Sequence, residues 1–178
     1  MAAVSVEELY AQVNRVRENP NLPQQKGNEL SHDDLRQTVK GARSALISAI
    51  KKAPDGAFAP QPDNDEGEEV WSIGEIVGHC NEALISIGSG AQELIGVDAG
   101  DPPAGLRSTS GPRTMSREEA LQAANAFDAD EYFEMIPDDE RLDNASEHDF
   151  FGTMSARAWL YFIAMHESDH IYQIRSLG

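Results

Sequence analysis

The chain has 178 residues and is strongly acidic, with 31 Asp and Glu residues against 14 Lys and Arg and a formal net charge of −17. This length suits one domain with a full-sized core. A surface of this charge repels nucleic acid and anionic membranes, and no basic patch offsets it, so we expect neither as a partner. The single cysteine, Cys80, excludes an internal disulfide and a zinc site built from several thiolates.

The N-terminal residues lack a basic segment followed by an apolar one, which is the pattern of a secretory signal. The longest apolar run, residues 158–165, is far too short to span a bilayer. Together with the lone cysteine, these features predict a soluble protein of the cytoplasm.

Five segments open with a Ser or Thr that can cap a helix, and in four of them an acidic residue three positions later can complete a capping box. The four pairs are Ser5 with Glu8, Ser31 with Asp34, Ser72 with Glu75, and Ser116 with Glu119, whereas Thr153 stands alone. Helical periodicity follows each of them, and no segment alternates with period two over the length of a strand. The sequence therefore predicts an all-α fold.

The predicted helices cover residues 6–18, 32–52, 73–95, 117–136 and 154–176. The first ends in a stretch rich in Pro, Asn and Gly, and is predicted to be an N-terminal extension within residues 1–30. Residues 54–70, 96–115 and 137–152 are predicted to be loops, and the second of these suits the rim or lid of a pocket. Four long helices over residues 31–178 predict a four-helix bundle.

The last predicted helix contains two histidines in an unusual place. At about 100° per residue, one stripe of this helix holds Trp159, Ile163, His166, His170, Ile174 and Leu177. Burial of two imidazoles in an apolar row costs a few kcal/mol unless they have partners. A metal ion is a natural partner for histidines spaced i, i+4.

The segment from His166 to His170 also matches the H-E-x-x-H pattern of zinc proteases, in which the glutamate acts as a general base. Such sites need a further ligand downstream, and only eight residues follow His170, none of them His, Asp or Glu. Glu167 would also project about 100° away from His166 around the helix. We therefore interpret the match as accidental.

A catalytic metal site needs a third protein ligand, and the other histidines are His32, His79 and His148. His32 lies in the first turn of a predicted helix and His148 in a polar loop, where both are expected to be solvated. His79 lies on the flank of the apolar stripe of its helix, so it could face either a groove between helices or solvent. The residues alone leave the third ligand open.

Two segments, WSIGEIVGHCNEA from Trp71 and HDFFGTMSARAWLYFIAMHESDHIYQIRSL from His148, resemble the DinB/YfiT-like superfamily of metalloenzymes. The shared features are a Trp at a helix start followed by a single His, and a C-terminal H-x-x-x-H followed by Gln-Ile. The resemblance covers about residues 31–178. It implies a four-helix bundle with an up-down-down-up course.

The resemblance further implies one divalent metal ion held by His79, His166 and His170, with Trp71 and Gln173 as scaffold positions. Three imidazoles suit zinc or nickel best, and also iron or manganese. Many members carry a second His just before the last ligand, where this chain has Asp169.

By analogy with this family, the resemblance implies a transferase or isomerase that uses a low-molecular-weight thiol and a small-molecule substrate. A metal-dependent hydrolase and a non-catalytic metal-binding or interaction bundle are the alternatives. Glu75 and Glu82 lie one turn on either side of His79 and are weak candidates for a general base, although a capping acid and a surface acid would look the same. Cys80 is expected to be a packed core thiol, and a homodimer is expected because bundles of this family often dimerise.

Overall fold

The structure, a computed structural model, describes residues 3–63, 67, 70–98, 100, 106 and 114–177. Its elements are α1 (Val6–Val16), α2 (Leu22–Gly27), α3 (His32–Lys52), α4 (Ile73–Ile95), α5 (Arg117–Ala124), α6 (Ala129–Glu134), β1 (Ala145–His148), β2 (Gly152–Ser155) and α7 (Ala156–Ser176). Short 3-10 turns cover Asp55–Phe58 and Glu140–Asp143. The described chain is mostly helical, as the sequence predicts, and none of its helices is long and apolar enough to cross a bilayer.

The four predicted capping boxes all form. In each, the serine side chain accepts a hydrogen bond from the backbone N–H three residues on, and the acidic side chain accepts one from the serine backbone. Each capping box thereby gives hydrogen-bond partners to two backbone N–H groups that have none within the helix. These caps place the starts of α1, α3, α4 and α5 at the predicted residues.

The predicted helix over residues 117–136 is wrong, because the chain breaks into α5 and α6. Asp128 has an extended backbone, and its side chain accepts hydrogen bonds from the backbone of Asp130 and Glu131. Asp128 therefore caps a new helix, α6, within a segment whose helical periodicity predicts one continuous helix. Phe127, within the break, and Phe133, in α6, are both buried.

The predicted loop over residues 137–152 is wrong at its end, because β1 and β2 form an antiparallel hairpin with Ala145 opposite Ser155. Every residue of β1 is exposed, and a four-residue strand without a buried face shows no alternating pattern. The helix cap also differs from the prediction. Ser155, rather than Thr153, accepts the hydrogen bond from the backbone of Ala158.

Helix α2 lies within the stretch that the sequence analysis assigns to no element. Pro23 occupies the first turn, where a missing N–H costs no hydrogen bond. Gly27 packs directly on α7, and a Cβ at this position would lie 2.8 Å from the Ala158 Cα. The start of α7 is anchored here as well, since the Ser155 backbone donates to Gln24 Oε1 over 2.7 Å.

Helix α7 is the central element, packing against α1, α2, α3 and α4. The N-terminal helix contributes to this core, because Leu9 is fully buried and the Tyr161 hydroxyl donates to Gln12 Oε1 over 2.6 Å. Tyr10 also stacks on Tyr172 with ring centroids 3.6 Å apart. The division of the chain at residue 30 stays a prediction.

Candidate metal centre

Helices α4 and α7 bring His79, His166 and His170 together. The Nε2 atom of His166 lies 3.0 Å from that of His79 and 3.3 Å from that of His170. One ring nitrogen from each of the three histidines lies within 4.8 Å of the corresponding nitrogens of the other two. The three histidines of the sequence prediction are thus neighbours in the fold. Their role as metal ligands stays a prediction.

Gln173 orients one of these rings. The side-chain oxygen of Gln173 lies 2.8 Å from Nδ1 of His170, one turn earlier on α7. Because a carbonyl oxygen only accepts hydrogen bonds, Nδ1 must carry the proton and donate it. The Nε2 atom of neutral His170 then has a free lone pair that faces the other two histidines, which is the tautomer a metal ligand needs.

Aromatic side chains surround the three imidazoles. The Trp71 ring centroid lies 5.0 Å from that of His79 and 6.1 Å from that of His170, with its plane nearly parallel to the latter. Phe162, one turn before His166, lies 6.4 Å from the His166 ring. His170 is only 8% exposed, and His79 and His166 are half-buried. The site is therefore shielded from bulk water on several sides but remains reachable.

This environment keeps the three histidines neutral. Burial lowers the pKa of His166 to about 3, and the neighbouring His170 and His79 add to that effect. Burial also lowers the pKa of His170, against the effect of the hydrogen bond that His170 donates to Gln173. Burial lowers the pKa of His79 as well, against the effect of the Glu82 charge. Unprotonated imidazoles at neutral pH are what a metal ion requires.

The other two histidines lie elsewhere. His32, in the first turn of α3, donates from Nε2 to the Ile136 carbonyl over 3.0 Å. Exposed His148 accepts at Nδ1 from the backbone of Phe150, in the turn between β1 and β2, and its ring contacts Trp159. Neither residue belongs to the three-histidine cluster.

The weak candidates for a general base lie on the same helix as His79. Glu75 accepts hydrogen bonds from the Ser72 backbone and hydroxyl, so it has the capping role that the sequence allowed. Glu82 is exposed and acts on His79 through its charge. A catalytic role for either stays a prediction. Cys80 is fully buried in the core, as predicted, and burial raises the pKa of its thiol.

A buried ion pair that the sequence did not predict lies next to the histidines. Glu167 is 1% exposed and pairs with Arg43 of α3, which is 3% exposed. The Arg43 guanidinium also donates to Asn81 Oδ1 over 3.0 Å, and Asn81 donates to the Ala123 carbonyl. Glu167 is thus held in the core with a cationic partner, which agrees with our interpretation of the protease pattern as accidental.

A signal for this pair was present in the sequence. Arg43 directly follows Ala42 in the apolar seam of α3, and Glu167 lies between residues of the apolar stripe of α7. Two opposite charges beside apolar seams are typical of a buried pair, although periodicity does not show which residues meet.

The comparisons with known proteins identify the family. The model of the DinB superfamily matches residues 38–174, which include all three histidines as well as Arg43 and Glu167. The chain belongs to this superfamily. The comparison with curated proteins and the comparison with solved structures found no match.

Proposed function

We propose that this member of the DinB superfamily is a metal-dependent enzyme that holds one divalent ion on His79, His166 and His170. The observation that carries this proposal is the group of three imidazole nitrogens within 4.8 Å, one of them held in the ligating tautomer by Gln173. Two ligands one turn apart on α7 and a third from α4 match the three protein ligands of catalytic sites.

The donor set fits a metal ion better than it fits a purely structural cluster. Three neutral imidazoles have three lone pairs and three N–H groups. Because His170 donates its only N–H proton to Gln173, at least one pair of facing ring nitrogens has no proton between its two members. Repulsion between such lone pairs is relieved when a cation lies between them. Zinc or nickel suits three imidazoles best, with iron or manganese as further candidates.

A divalent ion bound there supplies Lewis acidity, which favours the anionic form of a thiol or of water. The three imidazoles carry no charge of their own, so they leave the positive charge of the site available to an anionic substrate group. Trp71 and Phe162 limit the access of water beside the rings, which strengthens that attraction.

We propose that the anionic group is the thiolate of a low-molecular-weight thiol such as mycothiol, bacillithiol or glutathione. In a transferase, the thiolate sulfur forms a bond to an electrophilic carbon of the second substrate, and the leaving group departs with the electron pair of the broken bond. In an isomerase, the thiolate adds reversibly and leaves from the rearranged product. Glu75 and Glu82 remain the candidates for accepting the thiol proton.

For the fold we propose a four-helix bundle with an up-down-down-up course, formed by α3, α4, the interrupted pair α5 and α6, and α7. The packing of α3 and α4 against both α5 and α7 supports this arrangement. A homodimer and a location in the cytoplasm remain predictions, as does the absence of nucleic-acid partners at a net charge of −17.

The metal proposal is tested by elemental analysis of protein purified without a histidine tag. We expect about one divalent ion per chain, and its loss in His79→Ala. The proposal fails if the native chain binds no stoichiometric metal from any of the four candidates. It also fails for His79 if the alanine variant binds as tightly.

The thiol proposal is tested with a panel of thiols and a generic electrophile, with and without chelator. Thioether formation that needs both the metal and one thiol supports the transferase. Metal-dependent turnover of an ester or amide without any thiol would instead support the hydrolase. If metal binds but no chelator-sensitive turnover occurs with any of these substrates, the chain is a non-catalytic metal-binding bundle.

A further inference from the structure

A cavity of about 450 Å³ lies between the second half of α4 and α6, away from the three histidines. Gly88 in its wall follows His79 by nine residues, which is two and a half turns of α-helix. The cavity therefore lies on the opposite side of α4, about 13 Å farther along the helix axis. Its volume is within the range of about 300–1,000 Å³ that is typical of small-molecule sites.

Most of the cavity wall is apolar. Leu84, Leu106 and Phe127 are buried side chains that line it, and Ile85 is half-buried. Met135 also lines the cavity and is 46% exposed, one of the few large apolar side chains with that much contact with solvent. A wall of this kind fits the hydrocarbon body of a ligand.

Gln92 places a polar group in this apolar wall. Its side chain is only 3% exposed and lines the cavity, and it has no hydrogen-bond partner among the described residues. Its amide is therefore available to hydrogen-bond with a ligand in the cavity.

Tyr132 and Gly88 shape the wall beside it. The Tyr132 hydroxyl donates to the Gly88 carbonyl over 3.2 Å, which uses its only proton. A Cβ at Gly88 would lie 3.0 Å from the same hydroxyl oxygen, so a larger residue there would press on the Tyr132 side chain. Because burial raises the pKa of Tyr132, the hydroxyl stays protonated and its oxygen can only accept from a ligand.

The remaining polar groups in the wall are anionic. Three carboxylates line the cavity, those of Asp98, Asp128 and Glu131, and no Lys or Arg is among the described lining residues. Asp98 accepts from the Gly100 backbone, and Asp128 caps α6. These carboxylates give the described part of the wall a negative charge.

We propose that this cavity is a binding site for a small primary amine with an apolar body. The ammonium group donates to the side-chain oxygen of Gln92 and lies in the field of Asp98 and Glu131. The body packs on Leu84 and Phe127. The Gln92 side-chain oxygen can accept from such a ligand, and the acceptor hydroxyl and the carboxylates favour a donor-only cation over a neutral or anionic ligand.

The test measures binding of 2-phenylethylamine to the full chain by calorimetry at fixed ionic strength, with metal-replete and chelator-treated protein. The neutral analogue 2-phenylethanol and the anion 3-phenylpropionate have similar bodies. We expect the amine to bind at least about tenfold more tightly than the alcohol, and the anion not to bind. Equal affinity for amine and alcohol would contradict the proposal.

The variants Gln92→Leu and Glu131→Gln locate the site. We expect affinity for the amine to fall about tenfold in the first, which loses the amide acceptor, and about threefold in the second. Glu118 is exposed on α5 and lies outside the cavity, so Glu118→Gln removes the same charge there, and we expect it to leave the affinity for the amine unchanged. Equal weakening in Glu118→Gln and Glu131→Gln, or no weakening in either cavity variant, would overturn the proposal.

Chelator treatment distinguishes amine binding in the cavity from amine binding at the three histidines. Amine binding that survives chelator treatment supports the cavity even if the metal proposal fails. Binding that disappears with the metal would place the amine at the histidines instead and would contradict the proposal.

Discussion

His166 and Glu167 are neighbours on α7, yet they belong to two polar clusters with opposite properties. Glu167 pairs with Arg43, which also donates to Asn81, so the two charges of this cluster compensate each other within the chain. His166 meets only two other imidazoles, whose ring nitrogens face one another. The charges of the first cluster are balanced without a ligand, whereas the second presents facing ring nitrogens that a metal ion would bind together. This difference separates a structural pair from a candidate site.

The largest effect is expected where the first cluster is broken. Glu167→Ala leaves the buried Arg43 guanidinium without its counter-charge, and we expect a loss of about 3–5 kcal/mol in the free energy of unfolding. Chemical denaturation of metal-free protein measures this loss. Lys26→Met, which breaks the exposed pair with Glu29, is the control and should cost less than about 1 kcal/mol.

The double variant Arg43→Met with Glu167→Leu sharpens this result. It replaces both charges with apolar side chains, so we expect it to be more stable than Glu167→Ala alone. A Glu167→Ala protein that is as stable as the native chain would show that the ion pair does not hold α3 against α7.

The second cluster should respond to loss of a histidine in metal affinity rather than in stability. His166→Ala removes one of three ligands, and we expect divalent-metal affinity to fall by about 100-fold or more. Competition with a chromogenic chelator measures the affinity. Without metal, the variant should be at least as stable as the native chain, because one desolvated imidazole has been removed.

His148→Ala is the matched control for this experiment, since His148 is exposed in the hairpin and lies outside the cluster. Its metal affinity should equal that of the native chain. If both alanine variants bind equally well, the three histidines are not the ligands.

A smaller effect is expected from the residue that orients His170. Gln173→Leu removes the acceptor at Nδ1, and we expect metal affinity to fall about 10–100-fold. Gln173→Glu keeps an acceptor oxygen and should restore most of the affinity, whereas a merely structural role for Gln173 would not be rescued in this way. Equal affinity in the leucine variant and the native chain would exclude a positioning role.

The last prediction concerns the pH dependence of the stability of the metal-free protein. The pKa values of His79, His166 and His170 are lowered in the folded chain, so below about pH 6.5 the unfolded chain binds protons that the folded chain does not. Stability should therefore fall as pH falls from 6.5, by up to about 1.4 kcal/mol per pH unit for each such proton. Metal should offset this fall near neutral pH, and its occupancy should decline below about pH 6.

Denaturation between pH 7 and pH 5 measures this dependence, with the triple variant His79→Ala, His166→Ala, His170→Ala as the control. The slope should be shallower in the triple variant. Equal slopes would show that carboxylates, and not these histidines, govern the acid sensitivity.

The sequence predicted one of these two clusters and missed the other for a physical reason. His166 and His170 stand out because imidazoles are unexpected in an apolar row, and spacing of four places them on one face. His79 lies on the flank of its helix, where periodicity does not decide its direction, and only the family resemblance selected it. Arg43 and Glu167 come from distant parts of the chain, and no local pattern shows that they meet.

The fold shows the same division between local and long-range information. Capping boxes act within four residues, so the sequence predicted the starts of α1, α3, α4 and α5. The break before α6 and the hairpin of β1 and β2 were missed, because Asp128 reads as one more acid in a helix and the exposed strands lack a buried face. Most of the predicted pocket rim at residues 96–115 lies outside the described residues.

Anomalous diffraction from a crystal of the metal-replete chain tests the central claim most directly. We predict a single strong peak about 2.0–2.2 Å from one ring nitrogen of each of His79, His166 and His170. A peak elsewhere on the chain, or none among these three rings at full metal loading, would contradict the account.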